Sequence, residues 1–233
     1  MIGEFFLRHE KVALLFSAGK DSAACLKLLA PWLNRLVVVW VNPGNPYPET
    51  VEYMEQVMRT VPNFLILQGT QPAYIREHGY PVDAVPIHVF KAGNRVNPWW
   101  NCCKANLWDP TAKLWTVLGF TGVIRGQKEA DGFHFTIKSG DVVGGVEFLH
   151  PLETWTDEDV VKYVGAENLP SSYHRGLKSS LDCIDCTAHL GHSPGRLMDL
   201  KARHPETYSK ISPILEEVRG VLNPVLAELN NGN

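Results

Sequence analysis

The spacing of apolar residues in the first third of the chain changes several times, and each change marks an element. Residues 12–16 form a short continuous apolar run that ends in Ser-Ala-Gly, as a buried strand entering a tight turn does. Over residues 20–30, KDSAACLKLLA, the positions Ala23, Ala24, Leu26, Leu28 and Leu29 suit an amphipathic helix packed on a sheet, with Pro31 to stop it. Residues 36–41, LVVVWV, are β-branched and continuous and are followed by Asn-Pro-Gly, which predicts a second strand. A second helix is expected over 49–61 and a third strand over 63–67. The alternation predicts an α/β fold, a mainly parallel sheet with helices on both faces.

Further on the pattern is less regular. Residues 69–101 are rich in Pro, Gly and Asn. A helix is expected over 105–118 and a strand over 117–124. An antiparallel pair is expected within 133–149, turning at Ser139-Gly140-Asp141. Thr156-Asp-Glu-Asp159 reads as a capped helix start. Two helices, 194–204 and 206–229, precede an Asn-Gly-Asn tail. We expect one domain over 1–190, with 191–233 as a helical extension packed on it. No internal repeat is present.

Composition narrows the function classes. The chain has 233 residues, 45% hydrophobic and 20% charged, with a net charge of -3. One substantial core is within reach of that length. Mild acidity argues against a broad nucleic-acid surface, so a nucleic-acid acceptor gains no support from charge, although a local basic pocket stays open. With no apolar stretch of membrane-spanning length and no basic-then-apolar leader, the expectation is a cytoplasmic protein. The five cysteines are Cys25, the adjacent Cys102 and Cys103, and Cys183 and Cys186 in a C-x-x-C. Grouped thiols without an export signal point to metal binding or redox chemistry before disulfides.

The densest chemistry follows the first strand, in Ser17-Ala18-Gly19-Lys20-Asp21-Ser22. Gly19 lets the backbone approach an anion, and the N–H groups of the helix start point at it. Lys20 adds charge, and Ser17 and Ser22 add hydroxyl donors. Asp21 would repel phosphate, which suits a helix cap or a Mg²⁺ ligand. An ordinary capped strand-to-helix turn is the competing reading. The stretch resembles the Ser-Gly-Gly-Lys-Asp-Ser loop of the PP-loop adenine nucleotide α-hydrolases, with Ala18 in place of the first Gly. That resemblance implies a Rossmann-like fold and cleavage at an α-phosphate.

Other segments carry the resemblance onward, to the phosphoadenylyl-sulfate and adenylyl-sulfate reductases within that group. Residues 41–50, VNPGNPYPET, are similar to that family's Asp-Thr-Gly-x-x-Phe-Pro-Glu-Thr segment; Gly44, Pro48, Glu49 and Thr50 match, and Asn42 stands where Asp is frequent. The resemblance makes Gly44 and Glu49 nucleotide-site candidates. Residues 121–127, TGVIRGQ, resemble the family's Thr-Gly-x-Arg-x-x-Gln region, which implies an anion clamp of Arg125, Gln127 and Lys128; a solvated turn is the alternative. Cys102-Cys103 with Cys183-x-x-Cys186 resembles the signature by which the adenylyl-sulfate reductase branch holds a [4Fe–4S] cluster. Tetrahedral zinc and unligated thiols stay open beside it. Cys25 is expected to be buried and inert.

Two departures bear on the reaction. Those reductases attack sulfur with a cysteine near the C-terminus, and no cysteine follows Cys186 here. Their loop has also typically lost Lys-Asp-Ser, whereas Lys20-Asp21-Ser22 is intact. The resemblance therefore implies ATP as substrate, cleaved to pyrophosphate to activate an acceptor in sulfur transfer, with Lys20, Asp21 and Arg125 catalytic and Mg²⁺ assisting. The alternatives are an adenylyl- or phosphoadenylyl-sulfate reductase that takes its thiol from a partner, and a non-catalytic nucleotide- or redox-sensing module. Implied partners are an adenine nucleotide and a thiol or sulfur-donor protein; a homo-oligomer is implied by relatives. His9, His78, His88, His134, His189, His192 and His204 show no ligand spacing and receive no role. Trp99, Trp100 and Trp108 are expected to fill a core.

Overall fold

The protein is described from a computed structural model that covers residues 1–84, 95–134 and 136–231. Its centre is a six-stranded sheet of β1 (Val12–Leu15), β2 (Leu36–Asn42), β3 (Phe64–Gln68), β6 (Gly122–Ile124), β7 (Val142–Val143) and β8 (Val146–Leu149). The strand order is β3-β2-β1-β6-β8-β7, parallel throughout except for the β7–β8 hairpin. A separate parallel pair joins β4 (Tyr80–Val82) to β5 (Val96–Pro98).

The two faces of the sheet follow from the period of two along each strand. Val12, Leu14 and Val38 face a core shared with helices α1 (Ile2–Arg8), α2 (Lys20–Leu28), α3 (Pro48–Thr60) and α7 (Asp157–Val164). Ala13, Val39 and Val123 face the other way, onto Trp115 of α6 (Asp109–Leu118) and Phe120. Helices on both faces are thus as expected, and both faces of the central strands are buried. A third cluster ties Tyr47, Leu181 and Ile184 to Leu200 of α9 (Arg196–Arg203) and Ile211 of α10 (Pro205–Asn231). No helix among the described residues is long and apolar enough to cross a membrane.

Several expectations change. The irregular stretch before residue 101 contains α4 (Gln71–His78), β4, β5 and α5 (Trp99–Cys103). These elements are short, and α4 buries only Gln71 and Ile75, too few positions for a period to register. Gly79, at φ +90, enables the β4–β5 approach, since a Cβ there would meet the Arg95 backbone at 2.3 Å. The hairpin turns at Gly144-Gly145, both with positive φ, and not at residues 139–141; residue 135 of that expected pair lies outside the described residues. Gly119 ends α6 in the left-handed region, so Val117 and Leu118 belong to the helix and β6 starts only at Gly122. Helix α10 runs to Asn231, through the start of the expected tail, whose last two residues are not described. The capped start at Thr156 is present as a reciprocal pair with Asp159.

Candidate functional site

From β1 the chain moves out to β2 and β3, then returns to the other side of β1 as β6. That reversal places a crevice at the carboxyl ends of β1 and β6, where open α/β sheets bind ligands. The ends are level: Leu14 pairs with Ile124, and Ile124 with Leu149 of β8. Three strands therefore deliver their following residues to one place, and Lys20, Lys128 and Asp157 all arrive there.

The loop after β1 turns through Ala18 at φ +59, the position where a glycine would be unstrained, and Gly19 caps α2 with its backbone. Ser22 Oγ accepts from the Ser17 N–H at 3.3 Å and donates to the Gly19 carbonyl at 2.9 Å. The Lys20 N–H donates to Tyr173 Oη at 3.1 Å. Asp21 lies inside the first helical turn and pairs with lysines. Lys20 Nζ is 2.9 Å from Asp21 Oδ2 and 3.0 Å from Asp157 Oδ1. Lys128 Nζ is 2.5 Å from Asp21 Oδ1, 3.3 Å from Asp131 and 3.4 Å from Asp157. Burial alone would lower the affinity of both ammoniums for their protons; the carboxylates around them more than offset this and hold both charged. The two lysines in turn keep Asp157 below the ordinary carboxylate range, against the effect of burial.

Close packing sets this spacing. A Cβ on Gly126 would fall 2.8 Å from the Asp21 backbone carbon, so only glycine lets the chain after β6 pass so near α2. Arg125, at the same strand end, is partly buried and forms no ion pair with any described residue; burial lowers its proton affinity. Gln127 follows, half-buried. Gly44 (φ +104) and Glu49 sit after β2 as expected. Glu49, however, is turned to the C-terminal helices, within 3.2 Å of His204, 3.3 Å of Arg203 and 3.6 Å of Arg175.

Next to the loop is a cavity of about 340 Å³ lined by Cys102, Cys103, Cys183 and Cys186. The two pairs, with 79 residues between them in sequence, are joined by two docked segments. Cys183 bridges to Pro46, and the Ile184 N–H donates to the Asn45 carbonyl at 3.0 Å, which lays the C-x-x-C against the loop after β2. Arg196 of α9 holds the carbonyls of Cys186 (3.0 Å) and Ala188 (2.7 Å). Asn106 donates to the Cys102 carbonyl at 3.0 Å and reaches its Sγ at 3.8 Å. Burial first, and then the neighbouring thiols, pushes the Cys102 thiol up to about 12 and raises Cys103 and Cys183 well above the ordinary thiol value. Arg196 opposes this at Cys186, where burial still prevails, and no cation lowers the other three; burial therefore disfavours the nucleophilic thiolate form. Among the described residues no group of three or more His, Cys, Asp or Glu side chains is placed to hold a single metal ion. The cavity and the loop after β1 lie side by side: a Cβ on Gly19 would meet Ser180 of the cavity wall at 3.4 Å.

The chain has relatives of known family. The family profile described as "Phosphoadenosine phosphosulfate reductase domain" matches residues 11–189. The chain belongs to that family. A curated relative, adenosine 5'-phosphosulfate reductase of Mesorhizobium japonicum, is 25% identical over 190 residues, covering 78% of this chain and 68% of the relative. The crystal structure of phosphoadenylyl-sulfate reductase from Candida auris, a phosphate complex, superposes with a TM-score of 0.54 at 14% identity, over 74% of this chain and 81% of that one. The likeness to that structure is one of fold.

Within this member of the phosphoadenosine phosphosulfate reductase family, several groups at the site carried no sequence signal. Asp131 joins Lys128 from three residues further along the same segment, and Asp157 joins both lysines from the segment after β8; the second was legible only as part of a helix cap. His189 was passed over, yet its Nε2 is 3.7 Å from Cys103 Sγ and its ring packs on Trp99. Its φ of +60 is held by Asp83, which accepts from the His189 and Leu190 N–H groups at 2.7 and 2.9 Å. The tryptophans do not fill a core: Trp99 and Trp108 line the cavity, and Trp100 and Trp108 are nearly half exposed. Cys25 is fully buried, its thiol pushed up by burial.

Proposed function

We propose that this chain cleaves ATP between its α- and β-phosphates, activating an acceptor for sulfur transfer, and that the four cysteines hold a [4Fe–4S] cluster. One observation carries the nucleotide reading: the loop gathers two ammoniums and three carboxylates in contact. A metal-free anion would meet Asp21 and Asp157 together with the two lysines they pair with. A Mg²⁺-bound triphosphate answers both signs, offering oxygens to Lys20 and Lys128 and a cation to the carboxylates, one or two of which suffice beside phosphate ligands. In the reaction an acceptor atom attacks the α-phosphorus, the bond to the α,β-bridging oxygen breaks, and its electron pair leaves on pyrophosphate. Lys20 and Lys128 neutralise that leaving charge, the first-turn N–H groups of α2 orient the phosphates, and Arg125 offers an uncommitted cation to the α-phosphate.

The donor set supports the cluster. A single zinc ion needs four donors about 2.3 Å from one point, whereas a cluster takes one thiolate at each of four separated iron corners. Four thiols spread around one cavity suit the second. When bound, the cluster supplies a place to hold a sulfur atom, and the contact of Gly19 with Ser180 brings that place beside the phosphate loop. A thiol or sulfur-donor protein is the partner this reading requires.

The second reading is reduction of adenylyl or phosphoadenylyl sulfate by an external thiol, favoured by the named activity of the Mesorhizobium relative. Melting curves of anaerobically purified protein with ATP–Mg²⁺, adenylyl sulfate and phosphoadenylyl sulfate decide between them. A ligand at a hundredfold excess over its Kd adds about 2.7 kcal/mol to stability. We expect the shift with ATP–Mg²⁺, and its loss in Lys20→Ala with iron retained. A shift with a sulfated nucleotide alone, with sulfite released on adding thiol, would establish the second reading instead.

A further inference from the structure

Gln71, the first residue of α4, has a side chain with 1% exposure, and neither its amide nitrogen nor its oxygen has a hydrogen-bond partner. A buried amide left unpaired is costly, and in native proteins such groups are few. Its backbone is firmly placed: the Gln71 N–H donates to the Pro43 carbonyl at 2.9 Å, and the preceding Thr70 N–H donates to Asn106 Oδ1 at 3.1 Å. Asn106 is the residue whose amide nitrogen reaches Cys102. Gln71 lines the four-cysteine cavity beside it. Two buried amides therefore line the same cavity as Cys102, and Asn106 accepts from the N–H of the residue just before Gln71. One already has its partners within the chain; the other does not.

We propose that Gln71 is a positioning residue for the sulfur-ligated group in the cavity, its amide N–H donating to a cysteine or inorganic sulfur at the Cys102 corner. This rests on the reading that the cysteines hold a cluster. Donors to sulfur delocalise its negative charge and fix the ligand's orientation, and losing such an outer contact typically costs ~10-fold or more in retention of the metal.

The test compares anaerobically reconstituted wild-type protein with Gln71→Leu and Gln71→Met, which keep the bulk and remove the donor. Iron and sulfide per chain, the decay of the visible absorbance under a chelator, and the resonance Raman Fe–S stretches are recorded, with the urea midpoint of each apoprotein. We expect cluster loss ~10-fold faster in both variants and Fe–S stretches moved to higher frequency, because a donor to sulfur weakens the Fe–S bond. The apoprotein midpoint should rise, since two unpaired polar atoms are gone. Iron and sulfide retained with unchanged lifetime and stretches would overturn the role of Gln71 alone. Wild-type protein that takes up no iron or sulfide would overturn the cluster reading and this inference together. A fall in the apoprotein midpoint would also count against it, by giving the amide a structural role in the empty chain.

Discussion

Lys128 Nζ and Asp21 Oδ1 are 2.5 Å apart, although the first follows β6 and the second lies in the helix after β1. This contact spans the point where the strand order reverses and closes the loop's charge set from the far side. Lys128 is 1% exposed, so its partners are a structural requirement as well as a feature of the crevice.

Removing that ammonium should affect both. Lys128→Met leaves Asp21, Asp131 and Asp157 crowded without their shared cation. Because Asp157 is largely solvated, the loss falls below that of a fully buried pair, at about 2 kcal/mol. Urea unfolding with and without ATP–Mg²⁺ measures it. The expected variant is less stable and gains little from nucleotide. An unchanged midpoint would mean that the three carboxylates do not need Lys128.

Gly126 sets the approach that makes the contact available. In Gly126→Ala the new Cβ meets the Asp21 backbone, which cannot rotate away as a side chain can. Overpacking of this kind costs about 2 kcal/mol, and the separation it forces should weaken nucleotide binding further. Gly191→Ala is the control: nothing lies within 4 Å of its Cβ, and its effect should stay within about 0.5 kcal/mol. Equal behaviour of the two variants in a thermal melt would refute the close-approach argument.

The alternating strands and helices from β1 to β3 were legible because their apolar residues recur with a strand or helix period, although β3 itself is only partly buried; α1, with Phe5 and Phe6 as its buried residues, is too short to impose a period and was not read. Lys20 and the cysteines were legible as local motifs. Asp157 and His189 were not, because their partners come from separate strands or from the other side of the cysteine cavity, and no local pattern encodes such a meeting; Asp131 pairs locally with Lys128, three residues before it, but that spacing alone did not mark it as part of the site. Glu49 shows the opposite case. Its motif is local and was readable, but its partners Arg175, Arg203 and His204 lie more than a hundred residues away, so the direction its carboxylate takes was not.

Glu49 also gives a pH dependence. Burial alone would raise its proton affinity, but its own backbone N–H, His204 and Arg203 more than offset this and bring it below the ordinary value of 4.5. A carboxylate held low in the folded state contributes stability above its unfolded value and loses it as pH falls through the folded value. Stability should therefore fall more steeply below pH 4.5 in the wild type than in Glu49→Gln, with α9 and α10 loosening first. Urea midpoints from pH 7 to pH 3 test the slope, and parallel curves would remove Glu49 from the account.

The cysteines allow a test that separates fold from cofactor. Cys25 is wholly enclosed in the core on α2, among Phe16, Leu29 and Val160, so Cys25→Ala removes a packed sulfur and should cost about 1 kcal/mol. It touches nothing in the four-cysteine cavity, and iron content should not change. Cys103 faces that cavity from a partly exposed position, where an oxygen can replace sulfur with little effect on packing. Cys103→Ser should leave the apoprotein within about 0.5 kcal/mol of wild type, yet bind far less iron, since a hydroxyl is a poor ligand for a site that needs thiolate. Iron analysis and urea melts on the same samples give both answers. Iron that survives Cys103→Ser, or falls with Cys25→Ala, would break the assignment of the ligand set, because the two replacements would then differ only in packing.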